Sequence, residues 1–249
     1  MDGMTTGVIL ALCRVHQLIE VPGNVGVSAI DKRPVDGPVH VRRLGLHGDI
    51  QADREHHGGV DKAVYAYASE ESSVWEVELG HPITPGFFGE NLHLSGIDVS
   101  GAIIGERWLV GSEVELEVTM PRIPCSSFQH RVERTRWIRQ FADRGLPGAY
   151  LRVLTMGTIK AGDSVTVTHR PDHGVTVSSW ITNASLGSAK LLLDEHHEGR
   201  LFLGPNMLGK VQQVLGRGRA AMGGSSAPFP PVPKVTGNTE PSRPQNRVE

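Results

Sequence analysis

One cysteine near the middle of the chain, Cys125, has the sequence surroundings of a reactive thiolate. Pro121 and Pro124 restrain the backbone of its segment and remove two N–H donors. Alternating residues predict a strand that ends near Thr119, and a helix is predicted to follow the cysteine. A helix N-terminus and the nearby Arg122 would both favour a thiolate, the soft ligand that molybdenum or another thiophilic metal accepts. The alternative is a small buried hydrophobic residue, and the residues alone favour that alternative.

Residues 45–62 combine glycines, carboxylates and histidines too densely for a buried strand. Glycines allow the backbone to approach a ligand, and exposed N–H groups can bind an anion. This is typical of a cofactor-binding loop, although a pair of turns with solvated charges explains it equally well. Zinc is disfavoured, because adjacent histidines on an extended chain point in opposite directions and no second thiolate is near. The candidate binding residues here are Asp49, Asp53, His56, His57, Gly58, Gly59 and Lys62.

Two shorter segments carry further polar candidates. In residues 86–92 a glycine predicts a tight turn that presents Glu90 and Asn91. Asn91 has the alternative role of satisfying buried backbone groups, the commoner one in a β-rich fold. In residues 29–35 the adjacent cations Lys32 and Arg33 either grip a phosphate or lie in a solvated turn.

The elements that must position these residues are predicted to be mostly short strands. The 30 glycines and 16 prolines punctuate the whole chain and favour a β-rich fold. Alternating apolar residues predict strands at residues 39–43, 113–119, 151–154 and 163–169. Helices are predicted from Ser69, as the capping residue, to Gly80, and over residues 127–143, ending at Gly145. The apolar side of the second is formed by Phe128, Val132, Ile138 and Phe141.

Three regions are expected along the chain. Residues 1–172 form the β-rich domain, and residues 173–215 form a small helical segment with helices near 188–198 and 207–215. Residues 216–249 are rich in glycine, serine and proline and are expected to be a disordered tail.

The overall composition argues for a cytoplasmic globular protein. The 249 residues are 39% hydrophobic and 21% charged, with a net charge of -2. Such a balance disfavours nucleic acid and anionic membranes as partners, since both select clustered basic residues. The two cysteines, Cys13 and Cys125, form no CxxC motif and no disulfide framework, which favours a reducing compartment. The apolar run of residues 7–12 is too short for a signal peptide, and no run is long enough to span a membrane.

Taken in order, the segments resemble the MOSC domain, the C-terminal domain of molybdenum cofactor sulfurases. The matching segments are residues 32–35, 45–53, 56–64, 86–92 and 121–125, within a region of similarity of about residues 20–170. The chain is most similar to the stand-alone bacterial YiiM-like branch, which is linked to resistance against N-hydroxylated purines. The sequence has neither a ferredoxin-like cysteine cluster nor a pyridoxal-phosphate domain, so the resemblance is not to a full sulfurase.

The resemblance implies a mostly β (α+β) fold, with a MOSC-type β-barrel, a few helices and a small helical appendage. It implies a pterin-type molybdenum cofactor (molybdopterin) in a cleft, with Cys125 as catalytic residue and as molybdenum ligand or persulfide carrier. Lys32 lies where relatives place a cation near the cofactor phosphate. His57, Asn91 and Arg122 are further contacts that the resemblance suggests.

Three functions are therefore considered. The first is an oxidoreductase that reduces an N-hydroxylated small molecule to the amine, with electrons from a separate donor protein. The second is a cofactor or persulfide carrier on Cys125 without redox turnover. A cysteine hydrolase with His56 or His57 as base is disfavoured, because no triad context is recognisable. The protein is expected to be a monomer or a homodimer.

Overall fold

The computed structural model of the chain describes residues 5–21, 26–51 and 58–221. Thirteen strands lie in these residues: β1 (Thr6–Val15), β2 (Ile19–Glu20), β3 (Val27–Ser28), β4 (Lys32–Pro34), β5 (Val39–Arg42), β6 (Gly45–Leu46), β7 (Val64–Ala68), β8 (Leu92–Ser95), β9 (Arg107–Val110), β10 (Val114–Pro121), β11 (Ala149–Thr155), β12 (Gly157–Ile159) and β13 (Ser164–His169). The helices of the same residues are α1 (Ser69–Leu79), α2 (Ser126–Val132), α3 (Trp137–Arg144), α4 (Val177–Asn183), α5 (Leu186–His197) and α6 (Pro205–Ala221), with a short 3₁₀-helix at Val60–Lys62. The four predicted strands correspond to β5, β10, β11 and β13.

Seven strands close into a β-barrel. Their order is β1, β8, β7, β11, β10, β9 and β13, and β13 pairs back to β1. Within the barrel, β7 and β8 are parallel, and the other neighbours are antiparallel. Strand β4 pairs with the last three residues of β1, where Val15 lies opposite Lys32. Closure therefore fixes β1, and β1 in turn positions the strand that carries Lys32.

Two hydrophobic clusters stabilise this arrangement. The larger fills the barrel and continues into the C-terminal helices, so that Leu116 of β10, Trp180 of α4 and Val211 of α6 belong to one cluster. The second lies between the barrel and α1–α3 and is mainly aromatic, with its rings supplied by Tyr65, Tyr67, Trp75, Phe88, Phe128, Trp137 and Phe141. Edge-to-face contacts within it, such as Trp75–Trp137 at 4.7 Å, each add about 0.5–1.5 kcal/mol beyond area burial.

The prediction of one helix over residues 127–143 is wrong. The chain forms two helices, α2 and α3, separated by Glu133 and Arg136 in the left-handed region, with φ of 54° and 61°. In a straight helix Val132 and Trp137 would point about 140° apart. The break lets both enter the aromatic cluster, and it leaves Ile138, predicted to be buried, 38% exposed. Gly145 ends α3 as predicted.

The other helix boundaries differ by smaller amounts. The capping position of α1 is occupied by Ala68, so Ser69 is the first helical residue rather than the cap. At the C-terminal side, α6 continues to Ala221, past the predicted end of the helical segment at residue 215. The rest of the predicted tail, residues 222–249, lies outside the described residues. Among the helices that are described, none has the length and apolar character needed to cross a membrane.

Glu71 on α1 is a buried carboxyl group whose protonation should affect stability. Its side chain is 6% exposed, and Oε1 accepts a 2.8 Å hydrogen bond from Ser100 N. Oε2 has no hydrogen-bond partner among the described residues. Burial raises the pKa of this carboxyl from 4.5 to about 7. Because the folded state holds the proton more tightly than the unfolded chain, stability should be lost as the pH rises from 4.5 to about 7.

The Glu71→Gln variant should lack this loss, which amounts to about 3 kcal/mol of unfolding free energy. Urea unfolding at a series of pH values measures the difference. Glu70→Gln is the matched control, and it should change the pH dependence of stability in the opposite direction. Burial disfavours the charge of Glu70, but hydrogen bonds from Gly96 N and Ser95 Oγ outweigh it and lower the pKa of that carboxyl. Parallel pH profiles for wild type and Glu71→Gln would contradict the assignment.

Candidate functional site

A cleft at one side of the barrel brings six of the predicted residues together. It lies beside β4, the start of β7 and the loop between β10 and α2, and we call it the Cys125 cleft. The predicted residues that line it are Lys32, Asp49, Lys62, Asn91, Arg122 and Cys125. They come from segments far apart in the sequence, so the barrel and its connections create the site.

Asp49 is the centre of a hydrogen-bond network at the base of the cleft. Its Oδ2 lies 2.7 Å from Lys32 Nζ and accepts a 2.7 Å hydrogen bond from Asn91 Nδ2. Its Oδ1 accepts a 2.9 Å hydrogen bond from Val15 N. The side chains of Lys32 and Asp49 are only 10% and 9% exposed. A buried ion pair with this many hydrogen bonds fixes the position of the Lys32 ammonium group.

The side-chain amide of Asn91 forms hydrogen bonds within the protein rather than facing a ligand. Its Oδ1 accepts from Tyr65 N at 3.1 Å, and its Nδ2 donates to Cys13 O at 3.2 Å as well as to Asp49. Both N–H groups are therefore engaged within the protein. The geometry matches the alternative considered above, in which Asn91 satisfies buried backbone groups, and it ties β1, β7 and Asp49 together.

Glu90 is fully buried beneath the turn that precedes it and does not line the cleft. Its carboxylate accepts hydrogen bonds from Gly86 N at 2.6 Å and Phe88 N at 3.1 Å, and it contacts His93 Nδ1 at 3.1 Å. Glu90 was predicted to face a ligand, but its carboxylate instead binds the backbone N–H groups of the turn.

The glycines of the same turn allow it to pack on the strand that carries Lys32. A Cβ placed on Gly86 would lie 2.4 Å from Lys32 O, and one on Gly89 would lie 3.0 Å from Ile30 Cγ1. Both glycines have positive φ, 87° and 83°. The glycine pattern therefore serves the close approach of two backbone segments.

Arg122 is a buried cation with an unused hydrogen-bond donor. It is 6% exposed, and its guanidinium carbon lies 3.7 Å from the Phe128 ring centroid and 5.5 Å from that of Tyr65. Its Nη1 has no hydrogen-bond partner within the described residues. Such a donor is costly unless an acceptor satisfies it. An anionic ligand in the cleft would supply that acceptor.

Two tyrosines that line the cleft remain protonated. Burial raises the pKa of Tyr65 well above its usual value and also that of Tyr150, while Arg122 lowers both in part. The Tyr65 hydroxyl group donates a 2.9 Å hydrogen bond to Pro147 O. The aromatic wall of the cleft is therefore neutral, and its positive charges come from lysine and arginine.

Cys125 lies between β10 and α2, as predicted, and it occupies the capping position of α2. Its backbone is extended, its carbonyl accepts from Gln129 N at 3.0 Å, and its side chain is half-buried in the cleft. Cys13 contrasts with it, because it is fully buried in β1 and burial raises the pKa of its thiol. The thiol placed in the cleft is that of Cys125.

The remaining predicted residues lie elsewhere. Arg33 has a 55% exposed side chain and contacts Asp31 Oδ2 at 3.3 Å, away from the cleft lining. Gly58 and Gly59 also do not line the cleft, although Gly59 N donates to Gln51 Oε1 at 2.9 Å. The predicted residues Asp53, His56 and His57 lie outside the described residues.

Sequence reasoning missed the groups that position this site. Gln51 lines the cleft and holds the loop, since its Nε2 donates to Leu44 O and Lys62 O, each at 3.3 Å. Asp31, 1% exposed, pairs with Arg131 Nη2 at 3.0 Å and so links the chain before β4 to α2. An ordinary glutamine and an ion pair between residues 100 positions apart leave no local sequence signal.

Comparison with known proteins gives the class to which this fold and site belong. The family model described as MOSC domain matches residues 53–166. The chain is 32% identical over 161 residues to protein YflK of Bacillus subtilis, covering 65% of this chain and 72% of YflK. The chain belongs to the MOSC domain family, as predicted.

Two further relatives refine this relationship. A protein of Gibberella moniliformis named "Reductase" is 34% identical over 149 residues, which are 58% of this chain and 26% of that protein. The crystal structure of YiiM from Geobacillus stearothermophilus superposes with a TM-score of 0.67 at 25% identity, covering 84% of this chain and 99% of YiiM. The predicted α+β fold with a MOSC-type barrel and the predicted similarity to YiiM are confirmed.

Proposed function

We propose that this protein binds a pterin-type molybdenum cofactor in the Cys125 cleft and reduces N-hydroxylated small molecules to amines. The observation that carries this proposal is the shared cleft of Cys125 and Arg122, which sets a thiol beside a buried cation with an unused N–H donor. A thiolate is a soft ligand suited to molybdenum, and the guanidinium group is suited to a phosphate.

The donor set of the cleft fits such a cofactor. Cys125 would bind the metal, while Arg122, Lys32 and Lys62 would face the anionic part of the pterin. Arg122 Nη1 would gain the acceptor that the described residues do not provide. Asp49 and Asn91 would act indirectly, by holding Lys32 through the 2.7 Å contacts to Asp49 Oδ2. The contacts predicted for Asp53, His56 and His57 remain part of the proposal.

The net reaction consumes two electrons and two protons and converts R–NHOH into R–NH₂ and water. When bound, the cofactor would supply the oxygen-atom chemistry, and the protein would orient it and exclude competing reactions. Lys62 and Arg122 would keep the cleft positive, because Asp49 offsets the charge of Lys32, and the neutral phenol of Tyr150 could donate a hydrogen bond without adding charge. Electrons would come from a separate protein in the cytoplasm, where thiols stay reduced. The reductase name of the Gibberella relative supports a redox role.

The test compares two cysteine variants purified without oxygen from cells supplied with molybdate. Molybdenum per chain is measured by elemental mass spectrometry, and turnover of an N-hydroxylated purine is driven by reduced methyl viologen. Wild type should hold near-stoichiometric molybdenum. Cys125→Ala should lose the metal and at least about 100-fold in rate, since even indirect partners of metal sites are worth 10–100-fold. Cys13→Ala, at the cysteine that is fully buried in β1, is the matched control and should keep both.

Either of two results would contradict the proposal. Retained turnover in Cys125→Ala would remove Cys125 from the reaction. A wild type that carries one additional sulfur atom on Cys125 and does not turn over would instead support a persulfide carrier.

A further inference from the structure

Four arginines form a basic surface on the chain that follows Cys125. Arg134, Arg136, Arg139 and Arg144 lie on α3 and on the turn before it, and we call them the arginine surface. Residues 131–144 contain five arginines and two carboxylates, whereas the whole chain has a net charge of -2. The positive charge is therefore local, and the composition of the whole chain conceals it.

Along the chain, the short helix α2 separates the arginine surface from the Cys125 cleft. A shallow groove runs from Ser126, the residue after Cys125, to Arg134 and Thr135. A second groove shares Arg134 and Thr135 and continues along α3 past Arg136 and Arg139. Because α2 has seven residues, it spans only about 10 Å. A partner seated on the arginines would thus reach toward the cleft.

Two of the four guanidinium groups, those of Arg136 and Arg139, retain capacity for an external partner, whereas Arg134 donates to Glu78 O at 3.0 Å and Arg144 lies over the Trp75 ring. Arg136 is exposed and forms no ion pair with any residue that the structure describes. Arg139 pairs with Asp143 at 3.3 Å, but both side chains are largely exposed, at 85% and 69%. Such exposed pairs contribute little and are easily exchanged. Guanidinium groups bind carboxylates through paired N–H donors, so acidic side chains are suitable partners.

The aromatic cluster beneath the surface holds it rigidly. Arg136 has a left-handed backbone and directly precedes Trp137, which is fully buried. The ring centroids of Trp137 and Phe128 lie 5.4 Å apart, and the guanidinium group of Arg122 in the cleft stacks on the Phe128 ring. A rigid surface loses little freedom on binding, and this one shares its support with the cleft wall.

We propose that the arginine surface docks an acidic electron-transfer protein that supplies the cleft with electrons. This inference rests on the proposed function. An acidic protein is favoured over nucleic acid because the 38% exposed Ile138 gives the surface an apolar centre, which a polyphosphate backbone has no apolar group to cover. An apolar centre with arginines around it is typical of protein interfaces, and complementary charge accelerates association.

The first experiment measures N-hydroxylated purine reduction with two electron sources, a reduced flavodoxin of strongly negative charge and reduced methyl viologen. Each source delivers one electron at a time, two per N–O bond broken, with two protons from water. The double variant Arg136→Glu/Arg139→Glu should lose about 10-fold or more in kcat/KM for flavodoxin at low salt. Its viologen-driven rate should remain within about twofold, since a small dye needs no docking surface. The double variant Arg136→Lys/Arg139→Lys should recover most of the flavodoxin rate.

The matched control is Lys190→Glu/Lys210→Glu, which makes the same change in net charge on α5 and α6. It should keep the flavodoxin rate. Equal losses in the two charge reversals, or an unchanged rate in Arg136→Glu/Arg139→Glu, would overturn the proposal. Loss of the viologen-driven rate in Arg136→Glu/Arg139→Glu would also overturn it, because the surface would then be part of the reaction site.

Direct binding of flavodoxin, measured by calorimetry, separates this inference from the proposed function. If wild type does not turn over with viologen, the proposed function fails, but salt-sensitive binding that the reversal abolishes would still support the docking surface. Absence of binding to wild type would overturn it. Tighter binding of a single-stranded oligonucleotide or of anionic vesicles than of flavodoxin would overturn the assignment to an acidic protein.

Discussion

Replacing Arg122 by methionine should stabilise the cofactor-free protein while it weakens cofactor binding. The guanidinium group is 6% exposed, and its Nη1 has no hydrogen-bond partner among the described residues. Removing an unsatisfied buried donor recovers about 1–3 kcal/mol, and methionine keeps the apolar contact with Phe128. The same change removes the cation that would face the anionic cofactor. We expect about a 100-fold loss in cofactor affinity, comparable to the cost of deleting one partner of a buried charge pair.

Two measurements test this opposition of stability and binding. Urea unfolding of cofactor-free protein gives the free energy, and molybdenum per chain gives the loading. Arg122→Lys should load less well than wild type, because lysine keeps the charge but not the planar fork of donors. The exposed Arg139→Met is the control and should change stability by no more than about 0.5 kcal/mol. A destabilised Arg122→Met that still loads molybdenum fully would show that Arg122 has a structural role.

Alanine at Gly86 should destabilise the protein far more than alanine at Gly80. Both glycines have positive φ, 87° and 77°, so the conformational cost of a side chain is similar. Gly80 ends α1, and a Cβ there meets no atom within 4 Å, so that Gly80→Ala should cost only about 1–2 kcal/mol. A Cβ at Gly86 would lie 2.4 Å from Lys32 O. Because Lys32 O is a backbone atom, it cannot move aside as the end of a flexible side chain could. Overpacking then adds about 1–3 kcal/mol.

The difference between these variants isolates the contact between the turn and β4. Denaturant unfolding of both should place Gly86→Ala about 1–3 kcal/mol below Gly80→Ala. Because the clash pushes on Lys32, Gly86→Ala should also lose cofactor, whereas Gly80→Ala should load normally. Equal costs for the two substitutions would show that the turn and β4 separate without penalty.

The sequence by itself determined the local features of this protein. Alternating residues located β10 and β13, because the two-residue period of a strand is visible in a short window. The same pattern placed Cys125 between a strand and a helix, and the ordered segments around it identified the family. The long strand β1 escaped detection as a strand, because its residues 8–13 are all apolar and show no alternation, and a bulge between Ile9 and Ala11 also shifts its register.

Only the tertiary structure decided which of the candidate residues share a site. Closure of β13 onto β1 sets the barrel, and register is a long-range property that no short segment encodes. Asp49 meets Lys32 and Asn91 across 17 and 42 residues, while Glu90, next to Asn91, turns into the interior. The break between α2 and α3 likewise follows from burial of Trp137 in the aromatic cluster. Residue types predict what chemistry is available, but packing decides which side chains face one another, because burial and hydrogen bonding are satisfied jointly by distant parts of the chain.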